Sequence, residues 1–387
     1  MLVIIPLTHV HGELVLYHVG HEIRFDAPPH PGGYELRYSE RRRPLYVWKK
    51  PMPRISDQLL DCVVYIYPSV DDARAGEKWG GSGFLVGVPS EIHDDWSNVY
   101  CVTNSHVVRR LKTPVVRLNT EDGGNDTIEL TPEDWAYHQD GDDLAVCPVA
   151  FKNPSNYKFR MLHPKLFVTR EFMEKQSIGA GDDVYMVGRF VNHQGQQQNT
   201  PIMRFGNISM DKPQPIRNEW GLLQEGFLIE TRSLSGFSGS PVFVYSTPFS
   251  TYPPHYGERE VGTWLLGVNW GHSRTFESVL QEQSNPLKHE LVPVDPRWKV
   301  PSNSGQAQVV PAWKLQELLD QEELKMARRQ MDEQVSRWKN ESSSTFDAHP
   351  PNENEEHPPL SRDDFLRDLK KVAKKQDRPS RPDQEKH

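Results

Sequence analysis

From about Ile55 to Pro311 the chain is a succession of short apolar runs, each cut off by Gly, Pro, Asn or Asp. They include Cys62–Tyr67, Gly83–Gly87, Val99–Thr103 and Leu144–Val146, and later Asp183–Val187, Gly226–Glu230, Val242–Tyr245 and Trp264–Val268. Such runs are too short for helices and are rich in β-branched and aromatic residues. With turn formers between them they read as strands of a sandwich or barrel. Strands and helices do not alternate regularly, which argues against a doubly wound α/β fold. The pattern therefore predicts an all-β body, long enough for two small barrels.

The flanks read differently. Residues 1–54 form an extension of uncertain structure, with β-like runs at Glu13–Tyr17 and Leu45–Trp48 among Pro and Gly. From Ala312 a helical pattern takes over, predicting an amphipathic helix over 312–341, broken at most once. Positions 342–387 are rich in Ser, Pro, Asn and Glu. They read as a mostly disordered tail, with one short helix near 361–376 carrying Phe365, Leu369 and Val372. The C-terminal helices are candidates for docking a partner.

Composition narrows the function. The 387 residues are 36% hydrophobic and include 32 prolines, so a folded body is diluted by polar segments. The net charge of -8 argues against a general nucleic-acid binder. Met1–Leu7 is too short for a signal-peptide core, and no run is long enough for a membrane span. Cys62, Cys101 and Cys147 are too few and scattered for a disulfide framework, and read as small core residues in a cytoplasmic protein. His9, His11, His18 and His21 lack a Cys or carboxylate partner at metal spacing, so neither metal nor cofactor is expected.

Three segments carry chemistry. Ser235–Pro241 reads Ser-Gly-Phe-Ser-Gly-Ser-Pro and runs into a strand. Gly236 lets the backbone turn so that the N–H groups of Gly236 and Ser238 converge on one point, as an oxyanion hole requires. Pro241 and the β-rich run after it exclude the helix-opening elbow of α/β-hydrolases. A serine nucleophile needs a base. His106 follows the run Tyr100–Thr103 closely, at the end of a rigid strand. Asp143 directly precedes an apolar run and supplies the orienting carboxylate, with Asp142 beside it as the alternative.

These residues resemble the trypsin-like serine peptidases, most closely the protease domain of the bacterial HtrA/Deg branch. Gly81-Ser-Gly-Phe-Leu-Val86, Thr103-Asn-Ser-His-Val-Val108, Asp143-Leu-Ala-Val146 and Gly236-Phe-Ser-Gly-Ser-Pro241 are similar to that branch's motifs, in its order. The resemblance spans Ile55 to Pro311. It implies two six-stranded antiparallel barrels, 55–165 carrying His106 and Asp143, and 166–311 carrying Ser238. It also implies a peptidase acting on proteins or peptides.

Two departures qualify it. Phe237 stands where secreted trypsins carry the aspartate that pairs with a freed N-terminus, so no activating cleavage is expected. Ser240 replaces a glycine. The helical and polar pattern after Pro311 is not expected to form a PDZ-like domain. For the substrate pocket, Asn269, Trp270 and Gly271 are the wall candidates, and Arg232 would favour an acidic residue if its side chain enters. The rival reading is a catalytically silent scaffold that binds proteins. An esterase on the same triad is a third reading.

Overall fold

The computed structural model describes residues 55–346 except 79, 152, 190–196, 211, 219–220, 232–235, 247–259, 284–289 and 296, together with short strands before position 55. The chain divides into two units, Met1–Ser56 and Asp57–His387. The first unit holds three two-stranded hairpins. They pair β1 (His9–Val10) with β2 (Glu13–Leu14), β3 (Leu16–His18) with β4 (His21–Ile23), and β5 (Tyr34–Leu36) with β6 (Leu45–Val47). The side chains of His9, His11, His18 and His21 lie outside the described residues.

The second unit is built on two seven-stranded antiparallel sheets. The strands of the first are β7 (Val63–Tyr67), β8 (Gly81–Pro89), β9 (Ser97–Thr103), β10 (Val115–Asn119), β11 (Asn125–Glu129), β12 (Ala136–Tyr137) and β13 (Ala145–Pro148). They are ordered β11-β10-β7-β8-β9-β13-β12. Val64, Ile66, Leu85, Cys101, Val116, Ala145 and Cys147 meet in its core. Cys101 and Cys147 face each other across β9 and β13, and all three cysteines are free and buried. Burial pushes the Cys62 and Cys101 thiols well above their usual range.

The second sheet comprises β14 (Asp183–Gly188), β15 (Ile202–Ile208), β16 (Gln214–Arg217), β17 (Leu223–Glu230), β18 (Pro241–Ser246), β19 (Gly262–Ser278) and β22 (Lys299–Pro311). Pairing of Ile208 with Ile229 closes six of these strands into a barrel, and β16 adds to β17 as the seventh. Its core gathers Val184, Met186, Phe227, Phe237, Val242, Leu266 and Val309. The all-β double-barrel architecture is thus as expected, with one short strand added to each sheet. The strands β19 and β22 stay paired out to Ser278 and Lys299, and a hairpin of β20 (Leu280–Gln283) and β21 (Glu290–Pro293) lies between them in sequence.

Short helices punctuate the sheets: α1 (Val70–Ala75), α2 (Ser105–Arg109) and α3 (Arg170–Lys175). The amphipathic helix expected over 312–341, broken at most once, is broken once, into α4 (Ala312–Leu319) and α5 (Glu322–Phe346). The break falls at Asp320–Gln321, and helix continues five residues past the expected boundary. In α4, Trp313 enters the second core edge-on to Phe227 at 5.7 Å, and its Nε1 donates to Glu225 Oε2 at 3.0 Å. The buried residues Leu324, Ala327, Met331 and Val335 recur along α5 at helical spacing. Asn98 Nδ2 donates to Asp332, and Lys339 pairs with Asp95, so α5 lies against the β8–β9 side of the first sheet. The tail helix expected at 361–376 lies outside the described residues. No described helix is long and apolar enough to cross a membrane.

Candidate active site

The site begins with Asp143, fully buried just before β13. Its Oδ2 lies 2.6 Å from His106 Nδ1, and its Oδ1 accepts from the His106 N–H and from Ser105 Oγ, each at 2.9 Å. One carboxylate therefore grips both the ring and the backbone of His106, which fixes the imidazole's orientation and favours the tautomer with hydrogen on Nδ1. The strand β9 ends at Thr103, and His106 sits in the first turn of α2, not on the strand itself. Asn104 caps that turn and donates Nδ2 to the Asp143 carbonyl at 2.8 Å.

Asp142, the alternative acid, faces elsewhere. Its Oδ2 lies 3.2 Å from His138 Nδ1 and 3.6 Å from Lys314 Nζ. Burial dominates and holds its carboxyl above the usual range, despite the pull of His138 and Lys314. His138, Asp140 and Glu317 come close enough together to suggest a cation site. The Lys314 ammonium already stands there, 2.9 Å from Glu317 and 3.8 Å from Asp140.

Ser238 comes from the second sheet, in the loop entering β18. Gly236 and Gly239 both take left-handed backbone, with φ of 96° and 83°. Between them Phe237 is fully buried in the second core, which anchors the loop by apolar packing where secreted trypsins use an ion pair. Ser240 is buried next to Gly188, so its replacement of glycine is accommodated. Ser238 is half-buried. Among the described residues, the N–H groups of Gly236 and Ser238 meet no protein acceptor, which leaves both for a ligand oxygen.

Ser82 bolts this loop to the first sheet, a role that sequence reasoning missed. Its N–H donates to Ser238 O at 2.8 Å and its Oγ to Gly236 O at 2.7 Å. A Cβ placed on the neighbouring Gly81 would lie 2.9 Å from Val107 and 3.1 Å from Ser238 O, so the Ser238 backbone runs beside the residue following His106. The structure thus brings His106, Asp143 and the Ser238 loop to one place. Among the described residues Ser238 Oγ makes no hydrogen bond to His106.

The pocket candidates divide. Arg232 lies outside the described residues. Asn269 is fully buried behind the loop, where it donates Nδ2 to Phe237 O at 2.8 Å and accepts from the Gly239 N–H at 2.8 Å. It clasps the nucleophile loop. Trp270 and Gly271 follow on β19, where the pairing with β22 is bulged between Asn269 and Gly271. Such a bulge re-aims the strand beside the loop.

No protein-family model and no curated protein matches the chain. Solved structures do. The MamO protease domain from Magnetospirillum magneticum aligns at 15% identity and a TM-score of 0.36, over 68% of this chain and 98% of that one. The active form of the Rv3671c protease from M. tuberculosis aligns at 15% and 0.37, over 67% and 80%. The HtrA-type protease AlgW, solved with a decapeptide, aligns at 16% and 0.34, over 62% and 51%. The structures to which this chain is similar are thus proteases, one of them of HtrA type.

Proposed function

We propose that this chain is a serine endopeptidase that hydrolyses peptide bonds of proteins or peptides through an acyl-enzyme. The observation that carries the reading is the buried carboxylate–imidazole pair, 2.6 Å from Asp143 Oδ2 to His106 Nδ1, beside a serine loop with two unused N–H groups. In this reading Ser238 Oγ attacks the carbonyl carbon. His106 Nε2 takes its proton and later passes it to the leaving amine, while Asp143 stabilises the imidazolium. The N–H groups of Gly236 and Ser238 hold the oxyanion. Hydrolysis of the acyl-enzyme repeats the cycle with water in place of Ser238. These steps need no cofactor. The three free thiols are in keeping with a reducing, cytoplasmic location.

One observation favours a second reading, a silent protein-binding scaffold: the missing Ser238–His106 bond. Catalytic hydrogen bonds are often long before substrate closes the site, so peptidase activity remains the better reading. The two part on labelling by a fluorophosphonate followed by casein hydrolysis. The expected result is stoichiometric labelling and turnover, both abolished in Ser238→Ala, with Asp143→Asn slowed by about 10³–10⁴-fold. Wild-type proteolysis in Ser238→Ala sinks the proposal, and a folded wild type that never labels favours the scaffold.

A further inference from the structure

Asp143 is held on both of its backbone sides by side-chain amides. Asn104 Nδ2 donates to its carbonyl at 2.8 Å, from the same sheet. On the other side the Asp143 N–H donates to Gln224 Oε1 at 2.9 Å, and Gln224 belongs to β17 of the opposite barrel. Gln224 is almost fully buried, at 2% exposure. Its Oε1 also accepts from Asn218 Nδ2 at 3.3 Å, which orients the amide oxygen toward Asp143. Its Nε2 is buried without a hydrogen-bond partner among the described residues.

We propose that Gln224 is a positioning residue for the triad acid, fixing the Asp143 peptide from the second barrel so that its carboxylate stays in line with His106. The inference rests on the peptidase reading above. Leaving a buried N–H group without a partner is costly, because it gives up its bonds to water and gains none in return. A residue serving packing alone would carry no such penalty in an apolar form, so the amide is held there by what its oxygen does. Asp143 lies two residues before β13 and has no ladder partner for this N–H, because the pairing of β13 with β9 begins at Ala145 and Thr103. Without Gln224 the Asp143 peptide can rotate, and the carboxylate moves relative to the imidazole. Misplacement of a catalytic group by about 1 Å can cost on the order of 100-fold in rate.

The test compares wild type with Gln224→Met, which keeps the volume and loses the acceptor, and Gln224→Glu, which keeps an acceptor oxygen. Expected in Gln224→Met are a fluorophosphonate labelling rate and a kcat lower by about tenfold or more, with KM within twofold. The far-downfield proton resonance of His106 Nδ1–H should shift or broaden as well. Gln224→Glu should recover labelling to within about threefold of wild type. Labelling at the wild-type rate in folded Gln224→Met, or a loss confined to KM, overturns the proposal. If that variant does not fold, hydrogen exchange of the Asp143 amide in the wild type decides. Protection supports the bond, and exchange at the rate of a free amide refutes it. A wild type that neither labels nor cleaves sinks the peptidase reading alone, because the resonance and the amide still report on the positioning.

Discussion

Gly239 adopts a φ of 83°, and a Cβ there would collide with Ser82 O and Thr103 Oγ1. Both obstacles belong to the first sheet, one a backbone atom and the other a hydroxyl already bonded to it, so neither can yield cheaply. Gly239→Ala should therefore push the nucleophile loop off its seat. Labelling and turnover are expected to fall at least as far as in Gln224→Met, while far-UV circular dichroism stays native. Wild-type labelling in this variant would show that the loop does not depend on the contact. At this scale the sequence was informative wherever chemistry restricts residue type. A serine among glycines, a histidine after a strand and an aspartate before an apolar run are local patterns. Asp143 is preferred to Asp142 because it directly precedes that run; the structure turns Asp142 instead toward His138, four positions earlier, and toward Lys314, which arrives from α4 and which the sequence does not announce. Ser82 and Gln224 escaped for the same reason. Their partners lie 154 and 81 positions away, and neither residue type announces its role.

The helix α4 is latched to the second barrel by one carboxylate. Arg170 clamps Glu225 through both oxygens, at 2.7 and 2.5 Å, while its guanidinium lies 4.7 Å from the Trp313 ring centre and Trp313 donates to the same Glu225. Burial raises the Glu225 carboxyl, but Arg170 and Trp313 outweigh it and hold the group below its ordinary value of 4.5. A depressed folded value means stability that is fully present above about pH 4.5 and is lost as the pH falls through the folded value. Arg170 is half exposed, so solvent screening limits the contribution to about 1 kcal/mol. Urea denaturation of Glu225→Gln should show that deficit at pH 7, with the gap to wild type closing in acid. A deficit independent of pH would refute the latch. Strand existence was legible from alternating runs and turn residues. The place of the break between α4 and α5 was not, because neither Asp320 nor Gln321 is a helix breaker such as Pro or Gly. The break is imposed by Trp313 on the second core and by Arg328, whose guanidinium donates to Leu319 O at 2.8 Å.

At the scale of the whole molecule, α4 and α5 belong to both barrels. One fills the second core with Trp313, while the other covers Tyr100 and Asn98 on the first sheet. They read in the sequence as candidates for docking a partner; most of their described apolar residues face inward, and Met326 is exposed. A chain ending at Pro311 loses a buried tryptophan, worth about 3–5 kcal/mol when truncated to alanine, together with the cover of α5. It should melt well below the full chain, and an unchanged melting temperature would refute the integral role of the helices. The three buried thiols offer a gauge of this. Cys101 and Cys147 face one another across β9 and β13 of the first sheet, and Cys62 directly precedes its first strand. An alkylating reagent meets them only when that sheet comes apart. The native protein thus carries its own stopwatch, and the rate at which it consumes the reagent counts how often the barrel bearing His106 and Asp143 opens.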